Sequence, residues 1–509
     1  MFISVGAMGL LGVNAFAVNC EMEMSKGLPG IDIIGLGDVA VKEARGRISS
    51  AVRSSGCKMP QLRITINLAP ADIKKTGSTY DLAIITALLF LNGNIAHNLD
   101  DCAFVGEVSL GGTVEPVSGV LPMTILARSK GIKNLFVPAA NAYEASVCKG
   151  INIYGVNSVR ELIDHFSGKP ITPQTPYEIP EAAYEFPLDY ADVKGHAVAK
   201  RALEYAAAGG HNLLMLGPPG SGKSMLAKRI PTILPPLSFD ESIEITNIYS
   251  CAGLIDRKNP LVTVRPFRSP HHNASAAALI GGGNIPAPGE ISLSHNGVLF
   301  LDELPEFQRI ALESLRQPLE DHRVTISRVS GKITYPCSIM LIAAMNPCPC
   351  GHLGSKTKEC KCSPKQVSSY LGRVSGPLLD RFDIQIEVAE VEYEKLSSTK
   401  KEEASSEMRK RVESAREIQR RRFEGTKITC NAKITDDILR EVCVLSKEAD
   451  NTLHDAYDRM GLSGRAHERI LKVARTVADV DNSEKIETRH IKRAIQFRTL
   501  DRQYWQHRG

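Results

Sequence analysis

The stretch His211-Asn-Leu-Leu-Met-Leu-Gly-Pro-Pro-Gly-Ser-Gly-Lys-Ser224 decides the fold of this chain. Its first part, His211–Leu216 (HNLLML), predicts a buried strand, and Met225–Ile230 predicts a helix. Between them lies G-x-x-x-x-G-K-S, the spacing of a phosphate-binding loop in the strand–loop–helix context that such a loop requires. We therefore predict an α/β fold with a parallel sheet and an ATP site. The loop residues expected there are Gly217, Pro218, Pro219, Gly220, Ser221, Gly222, Lys223 and Ser224.

The polar groups of this loop have separate expected roles. Its backbone N–H groups surround the phosphates, and the helix N-terminus adds the positive end of its dipole. Lys223 reaches the β- and γ-phosphate oxygens, and the Ser224 hydroxyl is a ligand for Mg²⁺. The sequence thus predicts ATP and Mg²⁺ as cofactors.

Two further strands end in polar residues. Gly297–Leu301 is apolar and is followed by Asp302 and Glu303, as in a central parallel strand whose carboxyl end faces the ligand. We expect Asp302 to hold Mg²⁺ through water and Glu303 to act as the general base. A third apolar strand, Ser338–Met345, ends at Asn346, whose amide is expected to orient the attacking water. Asparagine before proline is also a common turn residue, and the two roles are compatible.

Composition describes an ordinary folded protein. Hydrophobic residues make up 43% and charged residues 23%, which excludes a disordered or collagen-like chain. The 62 Lys and Arg against 57 Asp and Glu give a net charge of +5, which permits a nucleic-acid partner without requiring one. The apolar segment Met8–Val18 lacks the basic start of a signal peptide, because the first basic residue is Lys26, so we expect a strand or hairpin there. No apolar run is long enough to span a membrane, and a cytoplasmic location is expected.

Four of the 12 cysteines form a C-x-C…C-x-C cluster. Without an export signal a disulfide framework is not expected, and a reducing compartment fits best. Four thiolates could hold one tetrahedral, structural Zn²⁺, with His352 as a substitute ligand. The alternative is a flexible loop carrying four reduced thiols. The residues of the cluster are Cys348, Cys350, Cys360 and Cys362.

The chain divides into three expected domains. Residues 1–168 alternate short strands with helices, which are expected over Val39–Ser54 and Asp81–Leu91, and residues 169–187 form a proline-spaced, extended linker. Residues 188–391 hold the nucleotide motifs and the cysteine loop 348–362. Residues 392–509 are charged and helical, and they include the basic run Arg420–Arg422.

The order of these motifs resembles that of the AAA+ ATPases, in their magnesium-chelatase-like branch. The runs 267–272 (FRSPHH) and 288–296 (PGEISLSHN) are similar to the ComM/YifB family of competence-associated proteins. The resemblance implies that Arg381, in LLDRFD, is an arginine finger acting across a subunit boundary, with Arg373 as its nearest rival. It also implies that Arg465 is a second sensor arginine and that the chain forms a homo-oligomeric ring, expected to be a hexamer.

The first domain resembles the Lon-protease-like domain of the ribosomal-S5 type through residues 105–112 (VGEVSLGG) and 117–119 (VSG). It departs from the proteases at the catalytic positions. Residues 77–81 (GSTYD) occupy the segment in which the proteases carry their nucleophilic serine, and Leu121 occupies the position of their catalytic lysine. Without that lysine no base activates Thr79, so we predict a scaffold or DNA-engaging domain.

Two segments resemble the insertions that face the central pore in helicase-like relatives. One spans residues 268–285, where His271 and His272 are expected to support a loop and not to bind metal. The other, Thr325–Thr334, has the alternation and the Ser-Gly turn of a hairpin. Arg328 and Lys332 near its tip are candidates for DNA phosphate contacts, and a solvated turn is the alternative.

The resemblance implies an ATP-dependent, ring-forming DNA motor, a helicase that drives branch migration in homologous recombination and natural transformation. Single-stranded or branched DNA is the expected partner. A chelatase-type ATPase that remodels a protein for metal insertion is an alternative. A Lon-like peptidase is disfavoured by Leu121.

Overall fold

The N-terminal part of the chain is built on one mixed sheet. The structure is a computed structural model, and it describes residues 1–179, 186–283, 287–328, 331–355, 358–397, 401–498, 500 and 504. Within them the sheet has seven strands in the order β3-β4-β2-β1-β5-β8-β9, and a small hairpin pairs β6 with β7. The strands are β1 (Phe2–Leu11), β2 (Asn14–Ser25), β3 (Gly30–Ile34), β4 (Arg63–Ala69), β5 (Cys102–Phe104), β6 (Glu107–Val108), β7 (Val114–Glu115), β8 (Asn134–Pro138) and β9 (Asn152–Val156).

The expectation of a strand or hairpin at the N-terminus is confirmed. β1 and β2 pair antiparallel from Phe2 opposite Glu23 to Leu11 opposite Asn14. The helices of this part are α1 (Val39–Ser54), α2 (Asp81–Leu91), α3 (Val120–Ser129), α4 (Ala142–Ala145), which a 3₁₀ turn at Ala139–Asn141 precedes, and α5 (Val159–Phe166). Helix α2 is buried over residues 81–89, because it packs against β1 and β2 with apolar residues on every side.

The nucleotide motifs lie on a second sheet, whose described strands are all parallel and run in the order β11-β14-β17-β10-β18. Its three central strands are buried on both faces, which explains their uninterrupted apolar sequences. Two hairpins, β12–β13 and β15–β16, lie outside it. The strands are β10 (Leu213–Leu216), β11 (Phe267–Arg268), β12 (Gly281–Gly282), β13 (Ala287–Pro288), β14 (Val298–Leu301), β15 (Arg323–Arg328), β16 (Gly331–Pro336), β17 (Met340–Met345) and β18 (Ile384–Glu387).

Helices cover this sheet and connect its strands. They are α6 (Ala197–Gly209), α7 (Lys223–Lys228), α8 (Phe239–Cys251), α9 (Ala276–Ile280), α10 (Glu290–Leu293), α11 (Arg309–Glu313), α12 (Arg316–Asp321), α13 (Pro364–Leu371) and α14 (Gly376–Leu379), with 3₁₀ turns at Tyr190–Asp192, Ile230–Thr232 and Leu304–Glu306. The linker predicted over residues 169–187 contains neither helix nor strand in its described part, residues 169–179 and 186–187.

The C-terminal part is mainly helical in the residues that are described, as predicted, and carries an isolated β-bridge between Leu445 and Ile486. Its helices are α15 (Tyr393–Leu396), α16 (Ser405–Arg422), α17 (Asp436–Val442), α18 (Lys447–Met460), α19 (Gly464–Val480) and α20 (Thr488–Gln496), with a 3₁₀ turn at Asn431–Lys433. None of the helices in the described ranges combines the length and apolar character needed to cross a bilayer.

The basic run at the end of α16 is partly neutralised by acidic partners within the fold. Arg420 and Arg421 both pair with Glu417 one turn earlier, and Arg422 pairs with the buried Asp479 of α19 at 2.6 Å. Arg422 is therefore held inside the fold, whereas Arg420 and Arg421, whose side chains are 79% and 77% exposed, share one carboxylate and keep part of their positive charge at the surface.

The N-terminal part contacts the nucleotide-binding part beside Glu144 and again at the β1–β2 turn. The buried Glu144 carboxylate accepts hydrogen bonds from the Leu121 backbone N–H (3.1 Å) and from the hydroxyl of Ser250 on α8. At the other place, a Cβ atom on Gly12 in the β1–β2 turn would lie 2.4 Å from Ile333 on β16. The adjacent Val13 packs into the same apolar cluster as Ile333.

Candidate functional site

The phosphate-binding loop lies where the sequence predicts it, between the end of β10 and the start of α7. Gly220 and Gly222 have φ angles of 79° and 83°, a left-handed conformation that side chains disfavour and that turns successive N–H groups toward one point. The Gly217 N–H donates to the Met345 carbonyl at 3.2 Å, so the loop begins against the end of β17. The loop is therefore shaped by its neighbours as well as by its own glycines.

The ammonium group of Lys223 is buried inside this loop. It donates to the carbonyl oxygens of Gly217 (2.7 Å) and Pro218 (2.8 Å). Burial lowers the pKa of Lys223 to about 8, and the nearby Asp302 carboxylate opposes that shift. Because these carbonyl oxygens and Asn346 use its donors, the ammonium would exchange some of these partners for phosphate oxygens when ATP binds.

The two predicted magnesium ligands are in contact. The Ser224 hydroxyl donates to a carboxylate oxygen of Asp302 at 2.5 Å. Asp302 comes directly after β14, and β17 separates β14 from β10, so sheet order brings the two residues to one edge. Hydroxyl and carboxylate oxygens are ligands that Mg²⁺ prefers.

The predicted sensor Asn346 lies at the tip of β17 and faces the same loop. Its side-chain oxygen accepts a hydrogen bond from Lys223 at 3.3 Å. Three adjacent strand ends thus bring Lys223, Asp302 and Asn346 together, as expected for a ligand crevice at the carboxyl edge of a parallel sheet.

Glu303 has a partner that the sequence interpretation missed. Nδ1 of His272 lies 3.2 Å from the Glu303 carboxylate, and the rings of His271 and His272 are 4.1 Å apart. Glu303 has a φ of 52°, which is uncommon for a residue with a side chain, and its backbone N–H donates to Asp302 at 2.9 Å. The expected loop role of His272 thus includes contact with the predicted general base.

Family models and curated relatives match nearly the whole chain. Models described as subunit ChlI of Mg-chelatase, as magnesium chelatase subunit ChlI and as its C-terminal part match residues 20–141, 189–396 and 402–498. The uncharacterised protein YifB of Salmonella typhimurium is 43% identical over 494 residues, which cover 97% of this chain and 96% of that protein. Competence protein ComM of Haemophilus influenzae is 42% identical over 502 residues, with the same two coverages. The chain belongs to the ComM/YifB family of magnesium-chelatase-like AAA+ ATPases.

The match to Lon proteases is more distant and partial. Lon protease 2 of Bacillus subtilis is 29% identical over 135 residues, which cover 26% of this chain and 24% of that enzyme. Leu121, at the expected lysine position, is fully buried in an apolar cluster with Val147, Tyr177 and Leu261. Leu261 follows α8 and belongs to the nucleotide-binding part. In this family member, the position thus joins two parts of the fold.

The family implies ATPase activity with ATP and Mg²⁺, and the residues at the strand ends fit both. The loop N–H groups and Lys223 would bind the phosphates, while Ser224 and Asp302 would hold the metal. When bound, Mg²⁺ neutralises phosphate charge. Glu303, with a side chain 57% exposed, carries the carboxylate that can accept a proton from water, and the Asn346 amide can orient that water.

The two candidate finger arginines differ in exposure. The Arg381 side chain is 6% exposed and pairs with Glu320, whereas Arg373 is 53% exposed and pairs with Glu306 at 2.9 Å. Reaching a neighbouring subunit would therefore require Arg381 to exchange its carboxylate partner. Its role stays a prediction.

Arg465 lies in the first turn of α19. The hydroxyl of Ser463 caps this helix by accepting from the Ala466 N–H, and Arg465 itself is exposed. An exposed arginine at this place is accessible to a ligand, and the predicted sensor role stays a prediction.

The four clustered cysteines converge in space. Their sulfur atoms all lie within 4.8 Å of one another, and three of the separations are 3.4, 3.6 and 3.7 Å. Zn–S bonds of about 2.3 Å in a tetrahedron place sulfurs about 3.8 Å apart, so the cluster fits zinc. The backbone N–H of His352 lowers the pKa of Cys350 to about 6, whereas burial raises the pKa of Cys348 to about 12, so the thiols differ in how readily they give the thiolate needed for metal binding. Nδ1 of His352 is buried and, among the described atoms, has no hydrogen-bond partner.

The two candidate DNA contacts lie on the β15–β16 hairpin. In this hairpin Arg323 lies opposite Pro336 and Arg328 opposite Gly331. Each strand therefore extends two residues beyond the predicted range Thr325–Thr334. Lys332 is exposed near the tip. The Arg328 side chain and the turn residues 329–330 lie outside the described part. In the other insertion, residues 284–286 are likewise outside it.

Proposed function

We propose that this chain is the subunit of a ring-forming, ATP-driven DNA motor that drives branch migration in homologous recombination, as in natural transformation. One observation carries the proposal: Lys223, Ser224, Asp302 and Asn346 meet at adjacent strand ends in a chain that is 42% identical to a competence protein. These side chains provide phosphate, metal and water contacts for ATP hydrolysis, with Glu303 as the general base.

The β15–β16 hairpin supports DNA as the partner. Movement along a phosphate backbone needs cationic contacts, and the exposed Lys332 is near the hairpin tip. The domain assignment 1–168, 188–391 and 392–509 belongs to the same proposal, with the first domain as a scaffold. A hexameric ring would place Arg381 of one subunit beside the ATP of the next.

We also propose that the four cysteines hold a structural Zn²⁺. The proposal is supported by sulfur separations close to those of a tetrahedral thiolate site. Zinc analysis of protein purified without added metal tests it, and less than about half an equivalent of tightly bound zinc would contradict it.

The central test measures ATP hydrolysis with and without forked or four-way DNA junctions. We expect DNA to stimulate hydrolysis and the junctions to be unwound or migrated, and both effects to weaken as salt rises. No stimulation and no migration would refute the motor and favour the chelatase-type alternative, in which a protein is remodelled.

Glu303→Gln is the matched active-site variant. It keeps the size of the side chain and removes the base, so ATP should still bind while turnover falls at least about 100-fold. Glu407→Gln, an exposed glutamate on α16 with 54% side-chain exposure, is the control and should behave as the natural protein. Substantial hydrolysis by Glu303→Gln would assign the base to another residue.

A further inference from the structure

The cysteine cluster is tied directly to the nucleotide site through the end of β17. Cys348 follows Asn346 by two residues and is fully buried. Asn346 in turn accepts a hydrogen bond from Lys223 of the phosphate-binding loop at 3.3 Å. Any change in the position of Cys348 therefore acts on a residue that contacts the loop lysine.

A second contact joins the cluster to the phosphate-binding loop from another side. Gly351, between Cys350 and His352, has a φ of 82°, and a Cβ atom placed on it would lie 2.5 Å from Cδ of Pro219. The Gly351 N–H donates to the Cys348 carbonyl at 3.0 Å, so its backbone is held inside the turn that carries two of the thiols. The cysteine turn thus packs on the phosphate-binding loop at a distance that only glycine allows.

The other end of the cluster is also fixed. Ser363, next to Cys362, caps α13, because its hydroxyl accepts a hydrogen bond from the Gln366 N–H. The Gln366 side-chain oxygen in turn accepts one from the Ser363 N–H. Tyr370 and Leu371 at the end of this helix are buried in the apolar cluster beneath the sheet. Closing the four thiols on one ion would therefore connect two anchored ends through the segment that touches Pro219.

We propose that zinc bound by the four cysteines holds Gly351 against Pro219 and keeps the phosphate-binding loop in its nucleotide-binding shape, so that ATP affinity depends on zinc occupancy. This inference rests on the proposed ATP and zinc sites and adds a regulatory link between them. The physical basis is preorganisation. If only a fraction of the molecules has the loop in its binding conformation, the apparent ATP affinity falls by that fraction, and an ion that restricts the loop to this conformation restores it.

The first experiment removes the metal from the full chain. Zinc content is measured before and after treatment with a chelator and a thiol reductant, and a fluorescent ATP analogue is titrated in the presence of Mg²⁺ each time. We expect the Kd for the analogue to rise at least about tenfold on zinc loss and to recover when zinc is returned. An unchanged Kd, or a purified protein with less than about half an equivalent of zinc, overturns the inference.

Two glycine variants separate the effect of the contact between Gly351 and Pro219 from the effect of zinc binding. Gly351→Ala and Gly354→Ala both place a side chain at a positive φ, 82° and 77°, but the nearest atom to a Cβ at Gly354 is the Tyr504 hydroxyl, 4.0 Å away. We expect Gly351→Ala to retain zinc and weaken analogue binding at least about fivefold, while Gly354→Ala retains both. Equal analogue affinity in the two variants, with zinc retained, overturns the inference.

These outcomes are distinct from failure of the proposed function. Zinc-loaded natural protein that neither binds nor hydrolyses ATP would refute the ATPase assignment. Protein that binds ATP equally well with and without zinc refutes only the link. Circular dichroism before and after chelation checks that the helices persist, and zinc-loaded Gly351→Ala supplies the test independently if the metal-free chain unfolds.

Discussion

Leu121→Ala tests whether the residue at the expected lysine position holds the N-terminal part against the ATPase part. Leu121 has no exposed surface and contacts a cluster drawn from both parts of the chain, including Val147, Tyr177 and Leu261. Alanine removes three carbon atoms from this cluster and leaves the backbone N–H of residue 121 free to bond Glu144. The substitution therefore isolates apolar packing from the hydrogen bond beside it.

The expected loss in the free energy of unfolding follows from the number of buried carbon atoms that are removed. At about 0.8 kcal/mol for each carbon removed, the transfer contribution is about 2.4 kcal/mol. The cavity adds to it, because a cluster held between two packed parts collapses only partially, so about 3 kcal/mol is expected within a range of about 2–5 kcal/mol. For a folding unit of about 150–250 residues, a loss of about 3 kcal/mol in the free energy of unfolding lowers the midpoint of thermal unfolding by about 6–12 °C.

Scanning calorimetry of the full chain measures this change, with Leu110→Ala as the control. Leu110 is 60% exposed on the β6–β7 turn, so the same chemical change there should cost less than about 0.5 kcal/mol. The lowest-temperature transition of Leu121→Ala is expected to shift down and that of Leu110→Ala to stay in place. Equal midpoints for the two variants would refute the packing role of Leu121.

Three shorter predictions concern the ATPase and the hairpin. Mixing Arg381→Ala with Lys223→Ala protein should restore part of the ATPase activity, since some interfaces then carry both natural residues; no gain at any mixing ratio argues against catalysis in trans. Lys332→Ala should lower by about 1 the slope of log DNA affinity against log salt, whereas an unchanged slope would assign this lysine to a solvated turn. His272→Ala should reduce kcat about tenfold with little change in KM, because Glu303 loses a positioning partner, and His272→Asn should retain more activity; equal kcat for all three proteins would show that the contact is not used.

Local sequence was sufficient for much of the fold. α1 and α2 have the predicted bounds Val39–Ser54 and Asp81–Leu91, because their starts and apolar patterns are encoded within a few residues. β10 begins two residues later than predicted, and the cause is the backbone partners of those two residues. The His211 N–H donates to the Ala206 carbonyl at 3.0 Å and the Asn212 N–H to the Asp383 carboxylate at 3.3 Å, so neither N–H is available to extend the strand.

In the candidate site, too, some contacts could be predicted from the sequence and others could not. Lys223, Asp302 and Asn346 could be brought together from the sequence, because parallel strands place their carboxyl ends at one edge. The contact of His272 with Glu303 could not, since it depends on how a loop after the two-residue strand β11 folds back. Nor could the pairing of Arg422 with Asp479, which lie 57 positions apart in the chain.

The contact of the β1–β2 turn with β16 changes the thermodynamics of anything that binds the β15–β16 hairpin. An isolated two-stranded ribbon is only marginally stable, and fixing it on a ligand would consume conformational entropy at each ordered residue. Here Val13 and Ile333 already pack in one cluster, so part of that entropy is lost when the chain folds. A ligand meets a hairpin that is already held on one side, and its affinity depends in part on the β1–β2 turn, some three hundred residues earlier in the chain.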